Sequence, residues 1–293
     1  MISSIIKKVF DKLGLQISRR HTKDENIPMY TRLFGDESVR NKNFYNIGAG
    51  SFNHSCWTNV DFKSDWYKEY NAGAGNGIDF DLFSCQPLPI ESNTAQIVYT
   101  SHTIEHLNDA AVQNIFNETY RILKPGGFFR IVTPDIDIEY RAYLQNDRDY
   151  FYWIDFYSTE KDYKRVKIRK PLNQETTAQV FLEDFAAQAS EISLNGAPKR
   201  ISDEELKTLF ATMPFEQAMD YCTSLCTVEI QKQNPGNHIN WFNEKKLFAM
   251  LTKAGFKTMH RSAHGQSFCP VLRDLNFFDS TLPKVSMYVE AVK

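Results

Sequence analysis

The chain has 293 residues, of which 42% are hydrophobic and 24% charged, and its formal net charge is −2. Such a length accommodates one large globular domain or a domain with a sizeable insertion. The near-neutral balance excludes a chain drawn as a whole to nucleic acid or to an anionic membrane. The cysteines Cys56, Cys85, Cys222, Cys226 and Cys269 are scattered and odd in number, which fits reduced thiols in a cytoplasmic protein. Cys222 and Cys226 stand at helical spacing, but no second pair stands at zinc-site spacing, so no metal centre is expected. The aromatic share of 14% fits a well-filled core or a cleft that receives flat ligands or sugar rings.

At the N-terminus, Ile2, Ile5, Ile6, Val9, Phe10 and Leu13 fall on one helical stripe, with Lys7, Lys8 and Lys12 elsewhere. There is no apolar run long enough to span a bilayer and no signal-peptide cleavage pattern. Such a helix can pack on the protein's own core or a partner subunit, or rest on a membrane surface. Residues 18–43 are polar and mixed, and read as a connecting segment, so that 1–42 precede the main domain at 43–293.

From Asn43 short strands and helices alternate, the pattern of a layered α/β fold. Strands are expected at 43–47, 57–61, 78–82 and 97–101. A helix capped by Asn108 carries Val112, Ile115, Phe116, Thr119, Tyr120 and Leu123 at helical spacing, and Lys124-Pro125-Gly126-Gly127 ends it in a turn. Phe128 to Val132 is a fifth strand, closed by Pro134-Asp135. Alternation then lapses over 136–237, where helices are expected at 135–157, 175–190 and 203–213, the last opened by a Ser202–Glu205 capping box. It returns with a helix over 244–254, capped by Asn243 and closed by Gly255, and strands at 257–261 and 285–292.

Gly48-Ala49-Gly50 directly follows the first strand, and no lysine follows it, so it is not a Walker loop. Asp61 ends the second strand, where a carboxylate can accept both hydroxyls of a ribose. The interval to Asp61 is shorter than the roughly twenty residues of an ordinary dinucleotide site. That counts against a nicotinamide oxidoreductase, as does the Lys124 to Gly127 turn.

Asn46 to Gly50 with Trp57 to Asp61 is similar to the opening of a bacterial branch of class I S-adenosylmethionine-dependent methyltransferases. Asp79-Phe80-Asp81-Leu82 with Pro87 to Ile90, Ser101-His102-Thr103-Ile104-Glu105-His106-Leu107, and Leu123 to Gly127 through Asp135 follow in the order of that branch. His238 to Phe242, Ala254-Gly255-Phe256 and Ser286 to Ala291 complete a resemblance that covers about half the chain. It implies a Rossmann-like, seven-stranded, mostly parallel sheet with the last strand antiparallel and a helical, acceptor-binding insertion at 136–237. Gly48, Ala49 and Gly50 would meet the methionine end of S-adenosylmethionine, Asp61 the ribose, and Asp81 with Leu82 the adenine. Ser101 and His102 would line the floor beside the methyl group. Two departures are visible: Phe52 stands near the place of a third glycine, and Gln96 replaces the usual acidic residue before strand four.

An alcohol acceptor must also lose a proton, so a base within reach is expected. His102, His238 and Asp135 are the leading candidates, with His106 and Glu139 behind them. Tyr150, Phe151, Tyr152, Trp153, Phe156 and Tyr157 could stack on an acceptor or build a core. The basic run from Lys161 to Lys170 could hold a phosphorylated acceptor or form a solvated loop. The branch is often tied to bacterial surface-polysaccharide assembly, which implies O-methylation of a sugar or other small glycan-linked acceptor. N-methylation of another small molecule and a non-catalytic binding module of the same fold are the alternatives. No nucleic-acid partner is expected, and the location expected is cytoplasmic, with membrane association through the N-terminal helix left open.

Overall fold

A computed structural model describes residues 12–13, 26–63, 77–157, 168–194 and 196–293. The N-terminal stripe from Ile2 to Phe10 and most of the basic run, Lys161 to Lys167, lie outside the described residues. No helix among the described residues is long and apolar enough to cross a membrane.

The strands are β1 (Phe44–Ile47), β2 (Trp57–Asp61), β3 (Gly77–Asp79), β4 (Ala95–Ser101), β5 (Leu123–Pro134), β6 (Thr258–Ser262) and β7 (Ser286–Val292). They form one seven-stranded sheet in the order β3-β2-β1-β4-β5-β7-β6. The pairs from β3 across to β5 are parallel, and β7 runs antiparallel to both of its neighbours. The expected architecture is therefore present, and β3 is shorter than the sequence suggests. Asp81 accepts a hydrogen bond from the Phe83 amide at 2.9 Å and turns the chain into a short 3-10 helix at Leu82–Ser84.

The central strands are buried along most of their length because helices and loops cover both faces. Alternate side chains divide between two cores. Tyr45, Ile47, Val98, Phe129 and Ile131 face α2 (Asp109–Ile122) and α8 (Glu244–Ala254). Phe44, Trp57, Ile97, Tyr99 and Val132 face Tyr30 and the segment carrying Cys269, Leu272 and Phe278. Tyr30 belongs to α1 (Ile27–Arg40), in the stretch expected to be a connector. Tyr30 and Ser38 are its buried residues, Ile27, Phe34 and Val39 pack beside them, and Gly35 breaks the helix with φ 81°.

Asn108 caps α2, accepting from the Ala111 amide at 3.0 Å, and Asn243 caps α8 in the same way. The Lys124 to Gly127 turn lies within β5 rather than before it, and the β4–β5 register shifts between Ala95 and Ile97 to accommodate it. Between β5 and α8 come α3 (Ile136–Gln145), α4 (Thr177–Ala186), α5 (Asp203–Thr212), α6 (Phe215–Ser224) and α7 (Val228–Gln233), around a core of their own. The expected helix over 135–157 stops at Asn146, whose φ of 51° ends it, and the chain re-enters a 3-10 turn at Tyr152–Tyr157. Phe151 and Trp153 are buried in this second core, so at least these aromatics serve packing.

One buried charge network locks the antiparallel end of the sheet. Arg130 in β5 is fully buried and donates to both carboxylate oxygens of Asp279, at 2.9 and 2.5 Å. It also donates to Ser262 Oγ at 2.9 Å and lies 3.5 Å from Glu290. Removing one partner of such a pair strands the other charge without water. We predict that Asp279→Ala lowers unfolding free energy by roughly 3–5 kcal/mol, measured by urea denaturation.

Candidate active site

The turn after β1 is built by two glycines in left-handed backbone conformation, Gly48 at φ 68° and Gly50 at φ 52°. They differ in what surrounds them. A Cβ on Gly48 would stand 2.2 Å from Thr103 Oγ1 and Cγ2, so this glycine is required by packing. A Cβ on Gly50 would meet nothing within 4 Å, which leaves the outer face of the turn open to a ligand. No helix intervenes between β1 and β2, which explains the short interval to Asp61.

Asp61 is tied to this turn. Its two oxygens accept from the amides of Gly50, at 2.6 Å, and Phe62, at 2.8 Å. Burial pushes its pKa up, and those two amides oppose the shift. Asp79 at the end of β3 is in register with Asp61 and accepts from the Lys63 amide at 2.9 Å. Asp81 also meets Lys232 Nζ of α7 at 3.2 Å, and the Leu82 side chain is buried in the core.

The second half of the site follows β4. Ser101 is its last residue, and His102 leaves it with φ 49°, an uncommon conformation for a residue with a side chain. The His102 amide donates to Val132 O at 2.9 Å, which holds it at the carboxyl edge of the sheet. Its Nδ1 lies 3.1 Å from Glu105 Oε1, and its Nε2 lies 2.8 Å from Ser286 Oγ. Ser286 Oγ is also 2.8 Å from Leu282 O and can turn its single proton to either side.

Glu105 is buried and accepts from Thr133 Oγ1 at 3.2 Å. Burial alone would raise its pKa, but His102, His106 and His238 outweigh it and hold the carboxyl down at about 2. The rings of His106 and His238 meet edge to face with centroids 4.6 Å apart. Burial pushes His238 down to about 4, with His106 adding to the shift. The structure thus groups His102 and His238, which the sequence could only name separately.

Asp135 has a different environment. Its side chain is buried, caps α3 through the Asp137 amide at 3.2 Å and pairs with Arg261. Burial raises its pKa despite the arginine. Glu139 stands one helical turn on, its pKa raised well above the usual carboxyl range by burial and by Asp184. A cavity of about 10 Å³ lies among Glu105, Thr133, Glu139, Asp184 and Asn240, close to the size of one water. A larger groove of about 670 Å³, lined by Asp109, Gln113, Lys246 and Lys253 among others, lies on the outer helices and contains none of these groups.

Glu105 and Asp184 are the residues that sequence reasoning did not single out. Glu105 had a signal, since it stands three residues after His102 and directly before His106. Asp184 had none, because only the fold brings it to His238.

Residues 50–131 match the family model of a methyltransferase domain. A ubiquinone/menaquinone biosynthesis C-methyltransferase of Desulfotalea psychrophila is 34% identical over 71 residues, or 24% of this chain. The match spans 28% of that relative's length. An S-adenosylmethionine-dependent methyltransferase of Thermotoga maritima, described as a possible histamine N-methyltransferase, is 12% identical with a TM-score of 0.39, covering 92% of this chain and 96% of that one. Phosphoethanolamine N-methyltransferase 2 of Haemonchus contortus, solved with S-adenosylmethionine, is 12% identical with a TM-score of 0.35, covering 100% of this chain and 60% of that one. Those two structural likenesses are too distant to carry an argument. The family match is local and falls on the strands that hold Asp61 and His102. That stretch lies in the seven-stranded sheet of order β3-β2-β1-β4-β5-β7-β6, so the part of the chain that is similar to a methyltransferase domain sits in an α/β fold of the expected class.

Proposed function

We propose that this chain transfers the methyl group of S-adenosylmethionine to a hydroxyl of a sugar or another small glycan-linked acceptor. The observation that carries the cofactor half is the Asp61 carboxylate, held at the open glycine turn by the Gly50 and Phe62 amides. Each oxygen accepts one amide and keeps a lone pair for a ribose hydroxyl. Gly48, Ala49 and Gly50 form the cradle for the methionine end, Asp81 and the Leu82 backbone read the adenine, and Ser101 and His102 floor the reacting centre. The acceptor class rests on the resemblance to the polysaccharide-associated branch.

Bound there, S-adenosylmethionine supplies a methyl group already activated by its positive sulfur. The chain's own residues align the acceptor with it and manage one proton. His102 is the base we assign. Glu105 faces Nδ1 and orients the ring, which leaves Nε2 as the nitrogen that takes the proton. Ser286 can pass its own proton to Nε2 while accepting one from the acceptor, or turn it to Leu282 O once the ring is charged. His238 contributes polarity beside this dyad. Asp135, committed to the α3 cap and to Arg261, positions the β5 edge rather than accepting the proton.

Two variants separate binding from chemistry. Asp61→Ala should weaken S-adenosylmethionine binding in calorimetry by about 10- to 100-fold, the loss of hydrogen bonds to a charged group. Wild-type affinity in a folded Asp61→Ala protein would refute the ribose assignment. His102→Gln should lower kcat against a panel of sugar acceptors by about 10²- to 10⁴-fold and leave cofactor affinity near wild type.

A further inference from the structure

His106 and His238 are each pinned through one ring nitrogen to a backbone carbonyl. His106 Nδ1 is 2.9 Å from Asn237 O, and His238 Nδ1 is 2.6 Å from Asp184 O. A carbonyl only accepts, so each Nδ1 carries the proton, and each neutral ring keeps its lone pair on Nε2. Fixing the tautomer from behind in this way is how proteins present an imidazole to a metal ion. Glu105 completes the set, and one ligand atom from each of the three residues lies within 4.8 Å of the others.

The carboxylate has capacity to spare. Glu105 is 2% exposed; His102 Nδ1 lies 3.1 Å from its Oε1 and Thr133 donates to its Oε2, which leaves a lone pair on each oxygen for a further partner. The two imidazoles are partly exposed, which gives an ion a way in.

We propose that Glu105, His106 and His238 form a binding site for one divalent transition-metal ion of the zinc class. Two imidazoles and a carboxylate are the donor set that such ions prefer, and they disfavour magnesium. Ligands about 2.1 Å from a shared ion stand roughly 3–4 Å apart, so atoms as far as 4.8 Å apart need to close by about 1–2 Å. Three protein ligands leave positions open for oxygen ligands. If the proposed O-methylation is correct, the ion would hold the acceptor's hydroxyl beside His102 and ease loss of its proton. The site itself does not depend on that reading.

The test uses the tag-free full chain, stripped with chelator and titrated with Co²⁺ without acceptor or cofactor. The expected result is a saturable visible absorption band at one equivalent, abolished by added Zn²⁺. His106→Gln and His238→Gln should each weaken binding by at least about 10-fold while circular dichroism stays unchanged. Should either variant misfold, the paramagnetic resonance spectrum of the Cu²⁺-loaded wild type decides, with nitrogen hyperfine splitting expected from two imidazoles. No saturable Co²⁺ band in the wild type, full binding by both folded variants, or a copper spectrum without imidazole nitrogen would overturn the site. Calorimetry with S-adenosylmethionine on the same protein reports separately on the methyl-transfer reading.

Discussion

Thr103 rests on the bare Cα of Gly48, and much of the site hangs on that contact. The approach is too close for any side chain at Gly48, since a Cβ would fall 2.2 Å from the threonine. The Thr103 hydroxyl has the carbonyls of Ile47, Gly48 and Ser101 within 3.2–3.4 Å, so it ties the ends of β1 and β4 together. The residue before it, His102, takes an unusual left-handed backbone, and Glu105 lies buried just beyond it. Close packing at one glycine therefore fixes the glycine turn and the histidine cluster relative to each other. In a core packed at crystal-like density, such a contact transmits position with little slack.

The long helical stretch between β5 and α8 returns to the same seam. The backbone oxygen of Glu105 accepts from the amides of Ile239, at 2.9 Å, and Asn240, at 3.1 Å. Asn240 Nδ2 donates to Leu107 O at 2.8 Å and to Asp109 Oδ1 at 2.9 Å. On the other side, the Ala187 amide donates to His238 O at 2.9 Å. His238 is thereby delivered to His106 by a strap bonded on both sides, and the carbonyls that pin the two rings belong to Asn237 and Asp184 within that stretch. Buried hydrogen bonds of this kind are costly to break singly, which makes the strap a rigid support rather than a loose cover.

The sheet was legible because its signals are local. Capping asparagines at 108 and 243, Gly255 after α8 and the apolar runs of β1, β2 and β4 each reflect chemistry within a few residues. The glycine turn and Asp61 stand close in sequence as well, 11 residues separating Asp61 from Gly50. What failed was of another kind. Helix α1 is interrupted by Gly35 in non-helical conformation, and α3 ends on an asparagine in left-handed conformation rather than on a glycine or proline. α6 opens at Pro214 without a side-chain cap, and α7 is only six residues long, so neither carries a strong local signal. Asp135 is a candidate base by its place after β5, and its pairing with Arg261, 126 residues away, is visible only in the fold. The Glu139–Asp184 pair and the His238–Glu105 proximity are likewise products of tertiary packing.

The same division separates the two proposed halves of the site. A cofactor presents the same atoms wherever it is bound, so short sequence signals can mark its contacts. An acceptor pocket is assembled from distant segments, and its residues become visible only in three dimensions. The ties between the halves differ in strength. At the seam they are buried hydrogen bonds, whereas at the outer edge Lys232 reaches Asp81 across a pair 55% and 32% exposed. An ion pair so open to water contributes roughly 0–1 kcal/mol. The helical stretch is thus held firmly beside the histidines and weakly beside Asp81, so the Asp81 side can open, as the proposed adenine contact requires, without disturbing His102.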